Sequence, residues 1–332
     1  MQKGKLIFIF TITVISTILA ACSNNQIDLD LGKFGIVYTD SLKDDSEFSV
    51  IDANGTTKSS QQLDVTGIYQ IASDGRGGYF LPSELTSSLV HIDQKGKITT
   101  SKNFNVHNYI NNQYGYQVTL FNTNVDINTL EIKYKNKIKR LNLPSFARMA
   151  TFDSNYVYVF CDTESKSYIY VIGLRTGKII RKIPVKKSGA DDMDIFHGQI
   201  VSPPSDANFL ITLDPKNWKV QYRLLPHNNP DRMVADHNYL YVSTKEGYIM
   251  KLNQNYEVEK STKSNPLILN MLVDKENLYV LSQIQSDQYA GYIITYDKNT
   301  LKIKQKISLP NIRDTLVQSF ILLDQKERKE HK

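Results

Sequence analysis

One spacing limits what this chain can fold into. In Tyr239-Leu240-Tyr241-Val242-Ser243, aromatic or polar residues alternate with aliphatic ones, the period-two pattern of a half-buried strand. Similar segments return about every forty residues. With Tyr241 as marker, the counterparts are Tyr38, Tyr79, Gln117, Tyr158, Ile200 and Tyr279. A second marker, where a strand runs into a turn, falls at Asp52, Asp93, Lys133, Gly173, Asp214, Asn253 and Asp297. Asp, Asn and Gly accept turn geometry, so this marker reads as a strand-to-strand turn. A third precedes the first by five residues, at Asp74, Asn112, Asp153, Asp236 and Asp274, with Ile195 out of pattern. Three markers sharing one period, with several short strands in each, predict an all-β chain built as a seven-bladed β-propeller of four-stranded blades.

Residues 64–309 hold six complete repeats. The first repeat has strands only over 35–40, 48–52 and 56–63 and lacks an innermost one. At the other end, Phe320-Ile321-Leu322-Leu323-Asp324 is similar to Met271-Leu272-Val273-Asp274. The C-terminal strand is therefore expected to complete the first blade, closing the ring without a free sheet edge. A chain of this length can bury one toroidal core, so 34–324 reads as a single domain. Residues 23–33 are polar without a strand pattern and read as a tether. Residues 325–332 read as a charged tail.

Ahead of the tether, Lys3 and Lys5 precede an apolar run from Leu6 to Leu19. The run is short for a span of ~20 residues. It ends in Leu19-Ala20-Ala21-Cys22, which resembles a bacterial lipobox. The resemblance implies a signal peptide over 1–22, a lipidated Cys22, and a protein anchored to the extracytoplasmic face of the cell membrane rather than spanning it. Cys161 is then the one remaining cysteine, and no intrachain disulfide can form. Loss of Lys3 and Lys5 lowers the formal net charge from +6 to +4. That charge is mild and spread over many strands, and it does not point to nucleic acid.

The recurring Tyr, Asp and Asn residues suit structural work, packing between blades and holding turns. Trp218 and Cys161 read as packing residues. No pair of histidines has close metal-ligand spacing. Residues leading into the inner strands would open on one face around the central channel. They are His107, Asn108, Arg148, Asp191, Asp192, Asp231, Arg232, Arg313 and Asp314. Loops on a rigid scaffold usually carry the binding site, so these nine are the candidate binding residues. Arg148 and Arg232 are expected to serve binding rather than stability.

Tyr156-Val157-Tyr158-Val159, Leu240-Tyr241-Val242-Ser243-Thr244 and Leu278-Tyr279-Val280 are similar to the repeat of YVTN propellers. The turns Tyr296-Asp297-Lys298-Asn299-Thr300 and Gly173-Leu174-Arg175-Thr176-Gly177-Lys178 fit the same family. The resemblance implies seven blades and an exported or surface location. It brings no common catalytic residues and no cofactor. The recurrent Trp of quinoprotein dehydrogenase propellers is absent, since Trp218 stands alone, and so are the boxes of sialidases. Two readings follow. One is a membrane-anchored binding or scaffold module holding a protein, peptide or glycan partner at the channel mouth. The other is a lactonase- or lyase-like hydrolase with a channel metal, which carboxylates clustered with His107 or His227 in the channel would favour.

Overall fold

The computed structural model describes residues 25–124, 126–264, 267–284 and 286–323. Its strands form seven antiparallel four-stranded sheets arranged in a ring. The innermost strands run Leu316–Leu322 in the first blade, then Ala72–Ser73, Val106–Gln113, Phe146–Phe152, Asp194–Phe196, Pro230–Ala235 and Ile268–Val273. From the second blade round to the first, each packs on the next around a central axis.

The ring closes as the sequence predicts. In the first blade, Leu316–Leu322 lies inside Phe34–Thr39, followed outward by Ser46–Ile51 and Thr57–Leu63. The pairing runs from Phe34↔Leu322 to Thr39↔Leu316. Leu323 N then donates to Lys33 O at 2.9 Å, where other blades have a covalent turn.

Each second strand is buried on both faces because a blade is sandwiched between neighbours. Val157, Val159 and Cys161 pack toward the third blade, while Tyr158 and Phe160 pack toward the fifth. Tyr241 and Tyr279 likewise face the following blade. The sequence marker is out of register elsewhere. Tyr38 faces the seventh blade, Tyr79 the first and Ile200 the fourth, each the preceding one. The second blade shows why. Its inner turn closes from Asp74 N to Gly78 O, whereas the fourth closes from Asp153 N to Tyr156 O. That extra residue puts Phe80, not Tyr79, in the place of Tyr158. A one-residue slip in a strand exchanges its two faces.

The Asp turns are as expected. Asp153 Oδ1 accepts from Asn155 N and Tyr156 N at 2.7 Å, and Asp236 and Asp274 repeat the arrangement. Their second oxygens receive a hydroxyl or ammonium: Tyr158 Oη on Asp153 at 2.8 Å, Tyr279 Oη on Asp274 at 2.6 Å and Lys298 Nζ on Asp236 at 2.8 Å. Asn112 departs from this pattern, donating instead across the blade boundary to Ser73 O at 2.6 Å.

The described part of the expected tether lies against the ring. Residues 25–33 are docked on the propeller, with Ile98 N donating to Asn25 O and Ile27 N to Gly96 O, both at 2.8 Å. Ile27 and Leu29 are buried between the first two blades. These two buried side chains suffice, since burying each is worth ~1.5–3 kcal/mol, while Leu31 stays 52% exposed. Ile27 O comes so close to Gly96, at φ +79°, that no side chain fits there. Cys22 and the signal segment, Asp324 and the charged tail lie outside the described residues.

Candidate binding site at the channel mouth

Every inner strand carries one residue more than the stretch it pairs with. Asn108, Arg148, Leu269 and Gln318 are the unpaired residues of the third, fourth, seventh and first blades. In the sixth, Asp231 and Arg232 share Ser243. In the second, Tyr69, Gln70 and Ile71 stand opposite Leu81 and Pro82. In the fifth, Asp191, Asp192 and Met193 stand opposite Ser202 and Pro203. A bulge bends its strand and re-aims side chains. Seven bulges at one level turn side chains toward one axis.

They line a cavity of about 510 Å³ to which all seven blades contribute. Its polar wall holds Tyr69, Gln70 and Glu84 from the second blade and Asn108 from the third. Arg148, Asp191, Asp192, Arg232, Asn270 and Gln318 come from the others. Several of these groups also fasten blade to blade. Gln70 pairs with the backbone of Ile110 as a strand would, donating to its O at 2.9 Å and accepting from its N at 3.0 Å. Asn108 Nδ2 donates to Ala147 O at 3.2 Å and Arg148 Nη1 to Asp191 Oδ1 at 3.4 Å. Arg232 Nη1 donates to Asp191 O at 2.7 Å, and Met233 N to Asp192 Oδ2 at 2.8 Å. Arg148 Nε also pairs with the buried Asp162, whose other oxygen accepts from Ser167 Oγ at 2.6 Å.

The cavity titrates near neutral pH. Burial lifts the Glu84 carboxyl to about 7, against the pull of Arg232 from across the ring. Burial likewise lifts Asp192 to about 6 and pushes Asp194 and Asp231 up. A carboxyl raised above its unfolded value binds its proton more tightly in the folded state. Its contribution to stability is full below the unfolded pKa and is lost as pH rises through the folded one. The melting temperature should therefore fall between about pH 5 and pH 8. Glu84→Gln should flatten the upper part of that fall, and an unchanged slope would assign it to other groups.

The nine expected residues divide. Asn108, Arg148, Asp191, Asp192 and Arg232 line the cavity, and Asp231 stands beside it with Oδ2 3.8 Å from Arg232 Nε. His107 does not reach it. Being one residue from the bulge, it faces the second blade, with Nε2 2.8 Å from Asn103 Nδ2 and its ring against Phe121. Burial holds its pKa down to about 4. Arg313 and Asp314 form a turn at the outer rim, where Arg313 pairs with Asp45 at 2.7 Å and Glu47 at 3.1 Å.

Sequence reasoning missed Glu84, Tyr69, Gln70, Asn270 and Gln318. A signal for most of them was present. Tyr69-Gln70, Arg148-Met149, Asp231-Arg232 and Leu269-Asn270 lie five and four residues before the markers Asp74, Asp153, Asp236 and Asp274, and Asn108-Tyr109, Asp191-Asp192 and Gln318-Ser319 stand likewise before Gln113, Phe196 and Leu323, each one residue off its sequence marker. All except Asp231 line the cavity. Glu84 has no such marker, because it arrives on a loop between second and third strands.

The condition set for the hydrolase reading is not met. His107 is turned away, and His227 stacks on Tyr248 with ring centroids 3.8 Å apart, outside the cavity. Among the described residues no three His, Cys, Asp or Glu side chains are grouped to hold a metal ion. Cys161 is fully buried and its thiol is pushed up to about 12, which keeps it protonated and unreactive.

No protein-family model matches the sequence, and no curated protein matches it. Solved structures do. A functionally unknown protein from Desulfotomaculum acetoxidans superposes with a TM-score of 0.65 at 12% identity, covering 83% of this chain and 95% of that one. Apo AztD from Citrobacter koseri superposes at 0.60 with 12% identity, covering 87% and 98%. The dihydro-heme d1 dehydrogenase NirN superposes at 0.61 with 14% identity, covering 88% of this chain and 66% of that one. At such identities the likeness establishes the fold, a seven-bladed β-propeller, and nothing finer.

Proposed function

We propose that this protein is a lipid-anchored, extracytoplasmic binding or scaffold module of the YVTN propeller type that holds a protein, peptide or glycan partner over its channel mouth. The observation that carries the reading is the convergence of seven bulged inner strands on one polar cavity. Rings of backbone that serve packing alone have no need to turn Glu84, Asp192 and Arg232 inward together. Charges of both signs in a partly dehydrated pocket favour a partner that carries both, or one with many hydroxyl and amide groups.

Two variants test the reading in one series. Glu84→Gln combined with Arg232→Ala should weaken capture of the partner from intact cells by at least about ten-fold, the effect of losing ~1.4 kcal/mol. Full capture by that variant would remove the channel mouth from the function. Anchoring is tested separately. Cys22→Ala should abolish lipid labelling and release the protein from membranes, and unchanged labelling would sink the lipobox reading.

A further inference from the structure

The end of the propeller away from the channel mouth carries a second charged feature. In an antiparallel four-stranded blade, the turns joining strands one to two and three to four share one end, and the remaining connections share the other. Glu84 and the residues leading into the inner strands sit at the latter end. At the former, the second and third blades leave between them a cleft of about 1040 Å³. Arg76, Lys95, Lys133 and Lys135 surround it, all exposed. Lys95, Lys133 and Lys135 form no ion pair among the described residues. The cleft's own carboxylates are turned inward: Asp74 binds His91 at 2.9 Å and two backbone N–H groups, and Asp93 binds the N–H groups of Lys95 and Lys97. Asp28 and Asp30 lie farther along, beyond Lys95. Tyr114 and Tyr134 are exposed at the same end, 61% and 38%.

The chain joins the ring at this place. Gln26 bridges to Lys97, and its Nε2 donates to Lys95 O at 3.0 Å. Cys22 precedes Asn25 by three residues, a reach of at most ~10 Å for an extended chain. That is close to the ~8 Å Debye length at physiological salt, so charges here would act on a bilayer surface without being fully screened. Exposed tyrosines suit the headgroup zone, where one end of the ring is apolar and the other wet.

We infer that the turn end of the second and third blades is a membrane-docking surface that takes anionic phospholipid headgroups. The inference rests on the lipid-anchor reading for its geometry, though the cationic surface itself does not. Docked in this way, the propeller turns its channel mouth away from the bilayer, open to partners.

The test uses the chain from Ser23 onward, which retains the whole closed ring and has no lipid. It should sediment with vesicles of phosphatidylcholine containing phosphatidylglycerol and not with phosphatidylcholine alone, and salt should weaken the binding. Changing Arg76, Lys95, Lys133 and Lys135 together to Gln should cut partitioning at least about ten-fold, since cations close to an anionic surface supply the attraction. Its melting temperature should not move. Lys-to-Arg changes at the three lysines should keep binding. Equal sedimentation of wild type and the Gln variant would overturn the inference. So would failure to bind the anionic vesicles, or loss of vesicle binding in competition with inorganic phosphate at equal phosphate concentration, which would mark a soluble-anion site. Vesicle binding by this chain, together with unchanged lipid labelling of Cys22→Ala, would uphold the surface and sink the anchor alone.

Discussion

A chain ending at Pro310 is expected to aggregate or be degraded, whereas one ending at Gln325 is expected to fold. The first truncation removes the inner strand Leu316–Leu322 and leaves the backbone of Phe34–Thr39 without its inner partner. It also withdraws Val317, Phe320 and Leu323, at 0%, 1% and 6% exposure, from the cores beside the first blade. Phe320 lies 6.2 Å from Phe34 ring to ring, and that contact goes with it. Three such side chains represent ~5–9 kcal/mol, which is comparable to the whole stability of a domain at ~5–15 kcal/mol. An unpaired, largely apolar strand edge is in addition a template for association. Soluble yield and cooperative melting of the two chains decide the matter. A folded monomer ending at Pro310 would show that the ring does not depend on this closure.

Arg148→Ala should cost about 2–3 kcal/mol, measured as a shift of the denaturant midpoint. This departs from the expectation that Arg148 and Arg232 serve binding alone. Asp162 is 6% exposed and Arg148 is its main cationic partner, with Lys187 Nζ farther off at 3.9 Å. Removing one member of a buried pair strands the other charge, at ~3–5 kcal/mol. The lower figure is used because the Arg148 side chain is 35% exposed and solvent screens it. With Asp162 already changed to Asn, the same Arg148→Ala substitution should cost little, since no buried charge is left stranded. Arg232 differs. Its nearest carboxylate is Asp231 at 3.8 Å, and its short contact is with a backbone oxygen, so Arg232→Ala should disturb the cavity more than the fold. An unchanged midpoint for Arg148→Ala would return Arg148 to the binding residues.

Part of the candidate site was legible because the repeat fixes where inner strands begin. Arg148, Asp191, Asp192 and Arg232 stand at positions that counting alone places near the axis. His107 shows the limit. It neighbours Asn108, yet the bulge sends Asn108 toward the axis and His107 toward the second blade. Bulges leave no mark in composition, and a shift of one residue reverses the face. Glu84 was invisible for another reason. Its loop comes to line the same cavity as Arg232 only when the second and sixth blades are brought round one ring.

The sequence by itself determined the period, the number of blades, the Asp turns and the closure by the C-terminal strand. Each follows from local rules: alternation sets strands, Asp and Gly set turns, and a missing inner strand requires a substitute. Only the tertiary structure decided the facing of Tyr38 and Tyr79, the docking of Ile27 and Leu29, and the arrival of Glu84 and Arg232 in one cavity. These depend on register and on contacts between blades far apart in the chain, where one residue more or less in a turn outweighs any local preference.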